Sequence, residues 1–196
     1  MHFPEAHNAT DEYLVQQVLK GNQQAFGQII KQTEGLITQI VFRMVPAPGD
    51  RQDLVQDIYL KAFKNLAGFK FNARLSTWLG KIAYNTCLHY LEKKRLVFLP
   101  DVNKQEDEPA GKHQQDNHVE KGVSAKELTV ILGSAVRMLS PPIYQTLITL
   151  YHQEELSYAE IAEITSLPEG TVKNYLFRAR KALKEQLLLK YKKEEL

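Results

Sequence analysis

The chain has a single cysteine, Cys87, among its 196 residues. An intramolecular disulfide and a multi-cysteine zinc site are therefore excluded. Cys87 falls on the apolar side of a helical pattern, where a small buried hydrophobe is expected rather than a nucleophile. No apolar run approaches the length that crosses a bilayer. The opening residues, Met-His-Phe-Pro-Glu-Ala-His, lack the basic and apolar segments of a secretion signal, so a reducing cytoplasm is the expected setting. Charge of one sign is not in large excess: the net charge is +2 and the pI about 8.5. That balance alone does not mark a nucleic-acid binder. Tandem repeats and strand-like alternation are also missing. Hydrophobic residues make up 43% of the chain, enough for a packed core.

What is present is helical periodicity, and the chain reads as all-α. A short helix from Thr10, with Tyr13, Leu14, Val18 and Leu19, stops at Gly21-Asn22. Helical repeats then run from Ala25 through Ile40 to Met44, and Pro46, Pro48 and Gly49 end them. Asp50 is expected to cap a helix to about Ala67, with Leu54, Val55, Ile58, Tyr59, Ala62, Phe63 and Leu66 inside and Gly68 as its terminal glycine. After a loop over 69–75, Ser76 starts a helix from Thr77 to about Arg95. Its apolar set is Trp78, Leu79, Ile82, Ala83, Leu88 and Leu91.

Composition changes over 99–123, where proline, glycine, glutamine and acidic residues replace the periodic pattern. A flexible linker is expected there. Ser124 and Glu127 form a capping box ahead of a helix with Leu128, Ile131, Leu132, Ala135, Val136 and Leu139. Ser140-Pro141-Pro142 opens another helix. The expected organisation is two small helical domains, 1–98 and 124–196, joined by the linker 99–123.

The most informative stretch is 157–182. Ser157 with Glu160 makes a capping box, and Tyr158, Ile161 and Ala162 mark an apolar face. Thr165-Ser166-Leu167 interrupts the helix. Pro168 and Glu169 suit the first turn of a second one. Val172, Leu176, Ala179 and Leu183 recur at helical spacing and should face the core. Lys173, Asn174, Phe177, Arg178 and Lys181 fall off that stripe. The pattern is that of a helix-turn-helix whose second helix presents phosphate and base donors. A solvated basic helix in an ordinary all-α protein has the same local features.

Three collinear motifs then resemble bacterial RNA polymerase sigma factors of the extracytoplasmic-function (ECF) subclass. Asp50-Arg-Gln-Asp53-Leu-Val-Gln56-Asp57-Ile-Tyr-Leu-Lys61-Ala-Phe looks like the helix that docks on the polymerase clamp. Phe71-Asn-Ala-Arg-Leu-Ser76-Thr-Trp78-Leu-Gly-Lys81-Ile-Ala-Tyr-Asn85-Thr resembles the promoter-melting and minus-ten-reading segment. Pro168-Glu-Gly170-Thr171-Val-Lys173-Asn-Tyr-Leu-Phe177-Arg178-Ala-Arg180-Lys resembles the minus-thirty-five-reading helix. The resemblance implies a sigma-two-like and a sigma-four-like domain, core polymerase and promoter DNA as partners, an anti-sigma factor as a further partner, no cofactor, no metal and no catalysis. The loop Asn72-Ala73-Arg74-Leu75 departs from the family's small or acidic loop, which bears on the promoter sequence. The basic cluster after the minus-ten helix, Lys93-Lys94-Arg95, is short.

The chemistry of the residues fits these implied roles. Asp53, Gln56, Asp57 and Lys61 lie off the core stripe Leu54, Ile58 and Ala62. Asp53 and Asp57 project from one side, and with no cation expected beside them a basic partner surface would relieve their repulsion. A merely solvated acidic face is the alternative. Opening a duplex needs stacking surfaces and edge donors. Phe71, Asn72, Arg74 and Ser76 on the loop, with Lys81, Tyr84, Asn85 and His89 on the following helix, are the implied set, and Asn85 is the best reader of a base edge. Phe69 and Phe71 could equally be core plugs, and Trp78 is expected in the core. Gly170 and Thr171 keep the last helix's first turn slim, so that backbone N–H groups can approach a phosphate. Lys173, Asn174 and Arg178 can reach base edges or phosphates, Phe177 a thymine methyl, and Arg180, Lys181 and Lys184 are expected as phosphate contacts or solvated charges.

Three other functions are open to such a chain. They are a dimeric helix-turn-helix regulator that binds DNA without polymerase, a helical metal-dependent hydrolase built on Asp53, Asp57 and His89, and an accessory polymerase-binding protein. A partner that clamps the two domains, or a free chain that already packs them together, would hide both DNA surfaces.

Overall fold

The computed structural model of the protein describes residues 5–97 and 125–192. The expected linker 99–123 with Glu106, Asp107 and Glu108, and the Ser124 cap, lie outside the described residues. Among the described residues, eight α-helices and one 3-10 turn follow in order. They are α1 Glu5–Leu19, α2 Gln23–Met44, α3 Pro48–Asn65, the 3-10 turn Leu66–Gly68, α4 Leu75–Val97, α5 Ala125–Arg137, α6 Ile143–His152, α7 Tyr158–Thr165 and α8 Glu169–Lys192.

Local chemistry sets the early boundaries. Gly21 takes φ +92°, which ends α1. The Gly21 N–H donates to the Val18 carbonyl at 2.9 Å and the Asn22 N–H to the Gln17 carbonyl at 3.0 Å, the paired bonds of a Schellman cap. The Asn22 side-chain oxygen then accepts from the Gln24 and Ala25 N–H groups, at 3.0 and 3.3 Å, and starts α2. α2 buries Ile29, Leu36, Ile37, Ile40 and Val41 at three- and four-residue spacing.

Three expectations for α3 change. The helix starts at Pro48 with Ala47 as its uncapped N-terminal residue, so Asp50 is not the cap. Its carboxylate instead accepts from the Tyr90 hydroxyl and from Lys94 Nζ of α4, the latter at 2.6 Å. Phe63 is not in the core: it is 50% exposed and meets Phe26 edge-on at 5.0 Å. Gly68 closes a 3-10 turn rather than the α-helix itself.

The second half assembles α5–α8 around Leu147, Leu150, Leu156, Ile161, Val172, Leu176 and Ala179, all buried. Leu132, expected on the inner stripe of α5, is exposed. The buried apolar side chains of both halves form one continuous cluster. Fully burying side chains such as Ile37, Ile58, Leu79, Leu147 or Leu176 contributes about 1.5–3 kcal/mol each.

The two halves meet along α4 against α7 and α2 against α6. Gly80 makes the first contact possible. A Cβ there would stand 3.0 and 3.1 Å from Ile164 Cδ1 and Cγ1, and 3.6 Å from a Leu36 methyl. Along the same seam Arg43 of α2 lies within reach of the Arg137 charge of α5. Burial, and then that like charge, lower the Arg43 pKa from the ordinary arginine value. The Arg43 Nε is buried without a hydrogen-bond partner among the described residues.

Candidate polymerase and nucleic-acid interfaces

On α3, Leu54, Ile58 and Ala62 are buried and Asp53 and Gln56 are exposed. Asp57 is not left with an unrelieved charge, contrary to the expectation. Lys61, one turn on, reaches its carboxylate at 2.7 Å. The same ammonium donates to Thr86 Oγ1 of α4 at 3.4 Å, so Lys61 is partly engaged within the fold. Asp53 forms no ion pair with a described residue. A stripe emerges that sequence reading missed. Asp53, Gln56, Leu60 and Phe63 share one outer face at three- and four-residue spacing, with Leu60 58% and Phe63 50% exposed. The available signal was Leu60, an apolar residue off the core periodicity. Arg51, within the same motif, is taken up locally. Its Nε donates to the Val45 carbonyl at 2.8 Å, and its guanidinium lies 4.6 Å from the centre of the Phe42 ring.

The loop before α4 is built on three rings. Phe69 is buried, with Phe71 at 4.7 Å and Trp78 at 5.2 Å between ring centres. Phe71 is half-buried and adopts φ +57°. Asn72 is exposed, while Arg74 and Ser76 are half-buried. Along α4, Lys81 and Asn85 are half-exposed and His89 is exposed, four residues apart on one side. Tyr84 is a correction. It is buried, its phenol pKa is raised by that burial, and no strand can reach it in this arrangement. Trp78, expected fully inside, is only half-buried. Cys87 is buried and its thiol is pushed up to about 12.

In the second half the Ser157 hydroxyl takes the Glu160 N–H, and the Glu160 carboxylate takes the Ser157 N–H at 2.9 Å, so the capping box is complete. Ser166 at φ +57° turns the chain into α8. Val172, Leu176 and Ala179 are wholly buried, whereas Lys173, Asn174, Phe177, Arg178 and Lys181 are exposed. Lys173 pairs with Glu169 at 3.0 Å and Lys181 approaches Glu185 at 4.0 Å. Gly170 is exposed with nothing within 4 Å of a Cβ placed on it. The Thr171 N–H is already spent. Both it and the Val172 N–H donate to the Pro168 carbonyl, so the expected approach of that N–H to a phosphate is closed.

Beside this front stands a cluster that sequence reading did not assemble. The Tyr151 and Tyr158 rings stack at 5.1 Å. Arg180 lies over Tyr151 at 5.7 Å and Lys173 over Tyr158 at 5.5 Å. Hydrogen bonding from Tyr151, then from Arg180, holds the Tyr158 phenol below its ordinary value. Burial, then the Arg180 charge, lowers the His152 pKa. No sequence signal joins Tyr151 to Tyr158, because they sit on different helices. Among the described residues no group of three His, Cys, Asp or Glu side chains is placed to hold a metal ion, and no helix is long and apolar enough to cross a membrane.

Residues 29–97 match the family model of Sigma-70 region 2, and residues 130–183 that of Sigma-70, region 4. Over 177 residues the chain is 33% identical to the ECF RNA polymerase sigma factor SigW of Bacillus subtilis (strain 168), covering 88% of this chain and 94% of that one. The chain belongs to the ECF RNA polymerase sigma factors. This sigma factor is also 35% identical, over 178 residues, to the ECF RNA polymerase sigma-E factor of Escherichia coli (strain K12), covering 89% of this chain and 92% of that one. Its structure resembles the sigma factor RpoE of Bartonella quintana, solved in complex with the anti-sigma factor NepR. The TM-score is 0.62 at 25% identity, over 83% of this chain and 96% of that one. It shares its fold with CnrH, solved in complex with the cytosolic domain of CnrY, at a TM-score of 0.61 and 22% identity over 91% of this chain and 97% of that one.

In this sigma factor the α3 stripe, the aromatic loop and α4 all fall inside the region 2 match, and the front of α8 falls inside the region 4 match. The seam between the halves bears directly on the loop. Arg74 Nη1 stands 3.5 Å from Glu160 Oε1 of α7, and Gly80, between Lys81 and the loop, lies under Ile164.

Proposed function

We propose that this sigma factor uses three separate surfaces to direct core RNA polymerase to promoters. The α3 stripe Asp53, Gln56, Leu60 and Phe63, with Asp57 and Lys61 beside it, docks on the polymerase clamp through apolar contact ringed by charge. The loop residues Phe71, Asn72, Arg74 and Ser76, with Lys81, Asn85 and His89, hold the opened minus-ten strand. The exposed side of α8 (Lys173, Asn174, Phe177, Arg178 and Lys181, with Gly170 and Thr171 at its start) reads the minus-thirty-five duplex. Tyr158 and Arg180 flank it as phosphate contacts. The units are 1–98 and 124–196, joined by 99–123, and the protein works in the cytoplasm without catalysing a reaction itself.

One observation carries this reading. α8 packs Val172, Leu176 and Ala179 completely while leaving five donor or apolar side chains in solvent on the other side. A helix with a fixed back and a free, partly cationic front is what a major groove accepts. A few base contacts worth about 1–3 kcal/mol each do not suffice for selective binding. Both DNA surfaces must therefore act together on polymerase, through effective concentration. The Arg74–Glu160 and Gly80–Ile164 contacts cover part of the minus-ten surface. Reading that element accordingly requires the halves to separate, and an anti-sigma factor that holds them together keeps the protein silent.

Run-off transcription with purified core polymerase on a promoter library tests the reading. Transcripts should start at a discrete set of promoters only when the chain is added. Tight, specific DNA binding by the chain alone, with no transcription on adding core enzyme, favours the dimeric regulator instead.

A further inference from the structure

α1 lies ahead of the segment that matches Sigma-70 region 2, yet it completes the helix that carries the base-reading side chains. Asp11 Oδ2 accepts the Leu75 N–H at 2.9 Å, across 64 positions of chain. The first N–H groups of a helix have no partner within it. At α4 the usual local remedy is missing. Arg74 is the capping residue, its carbonyl taking the Trp78 N–H at 3.1 Å, and it has no short acceptor side chain. Ser76, the expected cap, sits inside the first turn, and the Thr77 hydroxyl is buried without a partner among the described residues. α4 therefore receives its acceptor from another helix, and a carboxylate there also complements the positive end of the dipole.

Asp11 is a fixed point. Leu14, Val15 and Val18 bury the same helix, which packs on α2 and on the 3-10 turn leading into the loop. The loop it restrains includes Phe71 in the left-handed region, a conformation that persists only when its surroundings hold it. The other charged tie on this loop, Arg74 to Glu160, joins it to the opposite half and is lost when the halves separate. The Asp11 bond stays within the same half.

We propose that Asp11 is a positioning residue for promoter opening: its carboxylate anchors the start of α4 and so holds loop 69–74 in strand-binding geometry once the second half has moved away. This rests on the assignment of the loop and α4 as the minus-ten surface. Holoenzymes carrying Asp11→Ala, Asp11→Asn or Asn85→Ala are compared on a promoter duplex that the parental holoenzyme selects from a randomised library. Permanganate reactivity of unpaired thymines follows opening, filter retention follows initial binding, and hydrogen exchange follows residues 70–78.

Asp11→Ala should slow opening about five- to tenfold, the scale of losing one helix cap. It should speed exchange at 70–78 and leave initial binding within about twofold of the parent. Asp11→Asn, whose amide oxygen still accepts the N–H, should restore most of the rate. Normal opening in Asp11→Ala beside a defective Asn85→Ala overturns the role of Asp11 and leaves the minus-ten surface standing. Normal opening in all three overturns that surface as well. Where Asp11→Ala does not fold, Asp11→Glu keeps the charge and displaces the acceptor. Slowed opening with faster exchange supports the proposal, and unchanged opening ends it.

Discussion

Arg74, just before α4, and Glu160, in the first turn of α7, face each other at 3.5 Å across the line where the two halves of the chain meet. Glu160 serves two purposes, since its carboxylate also closes the capping box with Ser157. Arg74 is one third exposed, so the pair contributes no more than about 1 kcal/mol. The seam also carries apolar packing, with Ile164 seated over Gly80, where no Cβ stands in its way.

Gly80→Leu should therefore open the seam. Its side chain needs the space that Ile164 fills, while leucine is a better helix former than glycine. The expected outcome is a larger radius of gyration by small-angle X-ray scattering with helix content unchanged. Glu160→Gln, which keeps the cap and loses the charge, should shift the thermal midpoint only slightly. An unchanged radius in Gly80→Leu would mean that this contact does not hold the halves together.

Asp50 provides a pH test. Hydrogen bonds from Lys94, then from Tyr90, hold its carboxyl below the ordinary aspartate range. A carboxylate with a depressed folded-state pKa stabilises the fold above its unfolded value of about 3.9, and that contribution is lost as pH falls through the folded value. Stability measured by denaturant titration should drop for the parent between neutral pH and pH values below about 4, and Asp50→Asn should show a shallower drop. Parallel acid limbs would exclude a contribution from this cluster.

On α3, Leu60 is exposed and off the buried stripe. Leu60→Glu should leave the thermal midpoint close to the parental value, because surface changes away from special features usually stay within about 0.5 kcal/mol. Association with core polymerase, measured by fluorescence anisotropy, should weaken at least about tenfold if this residue sits in a docked apolar patch. Equal affinity would remove the patch from the interface.

Two substitutions on α8 should separate base reading from phosphate binding. Arg178→Ala should cost about 1–3 kcal/mol on the selected minus-thirty-five duplex and relax preference at one base pair. Lys181→Ala should weaken all sequences alike and reduce the salt slope by about one. Both side chains are exposed, so unfolding curves should overlay the parent's. A uniform loss in both variants would make Arg178 a phosphate contact.

Much of the fold was legible from apolar spacing, because local rules govern it. Ile29, Ile37, Ile40, Leu54, Ile58, Val172, Leu176 and Ala179 are buried where helical period placed them. The Ser157–Glu160 box and the break at Ser166 follow from capping and turn chemistry alone. The failures share a cause. Asp50 looked like a cap because that is its local preference, but two partners forty or more residues away claim its carboxylate. Phe63 looked internal and Tyr84 available because burial at the flank of a stripe depends on which helix lies alongside.

The linear chain, read alone, determined an all-α fold, a helix-turn-helix with a cationic front off the core stripe, and resemblance to a sigma-factor family. Apolar periodicity, the order of the motifs and a capping box closed within four residues, such as Ser157–Glu160, are written along the chain itself, so they survive without coordinates. Only the tertiary structure decided that Ile164 seats on Gly80, that Asp11 caps α4, and that Tyr151 stacks on Tyr158 under Arg180. Each joins residues on different helices, and which surfaces of two helices meet depends on the packing of the whole core.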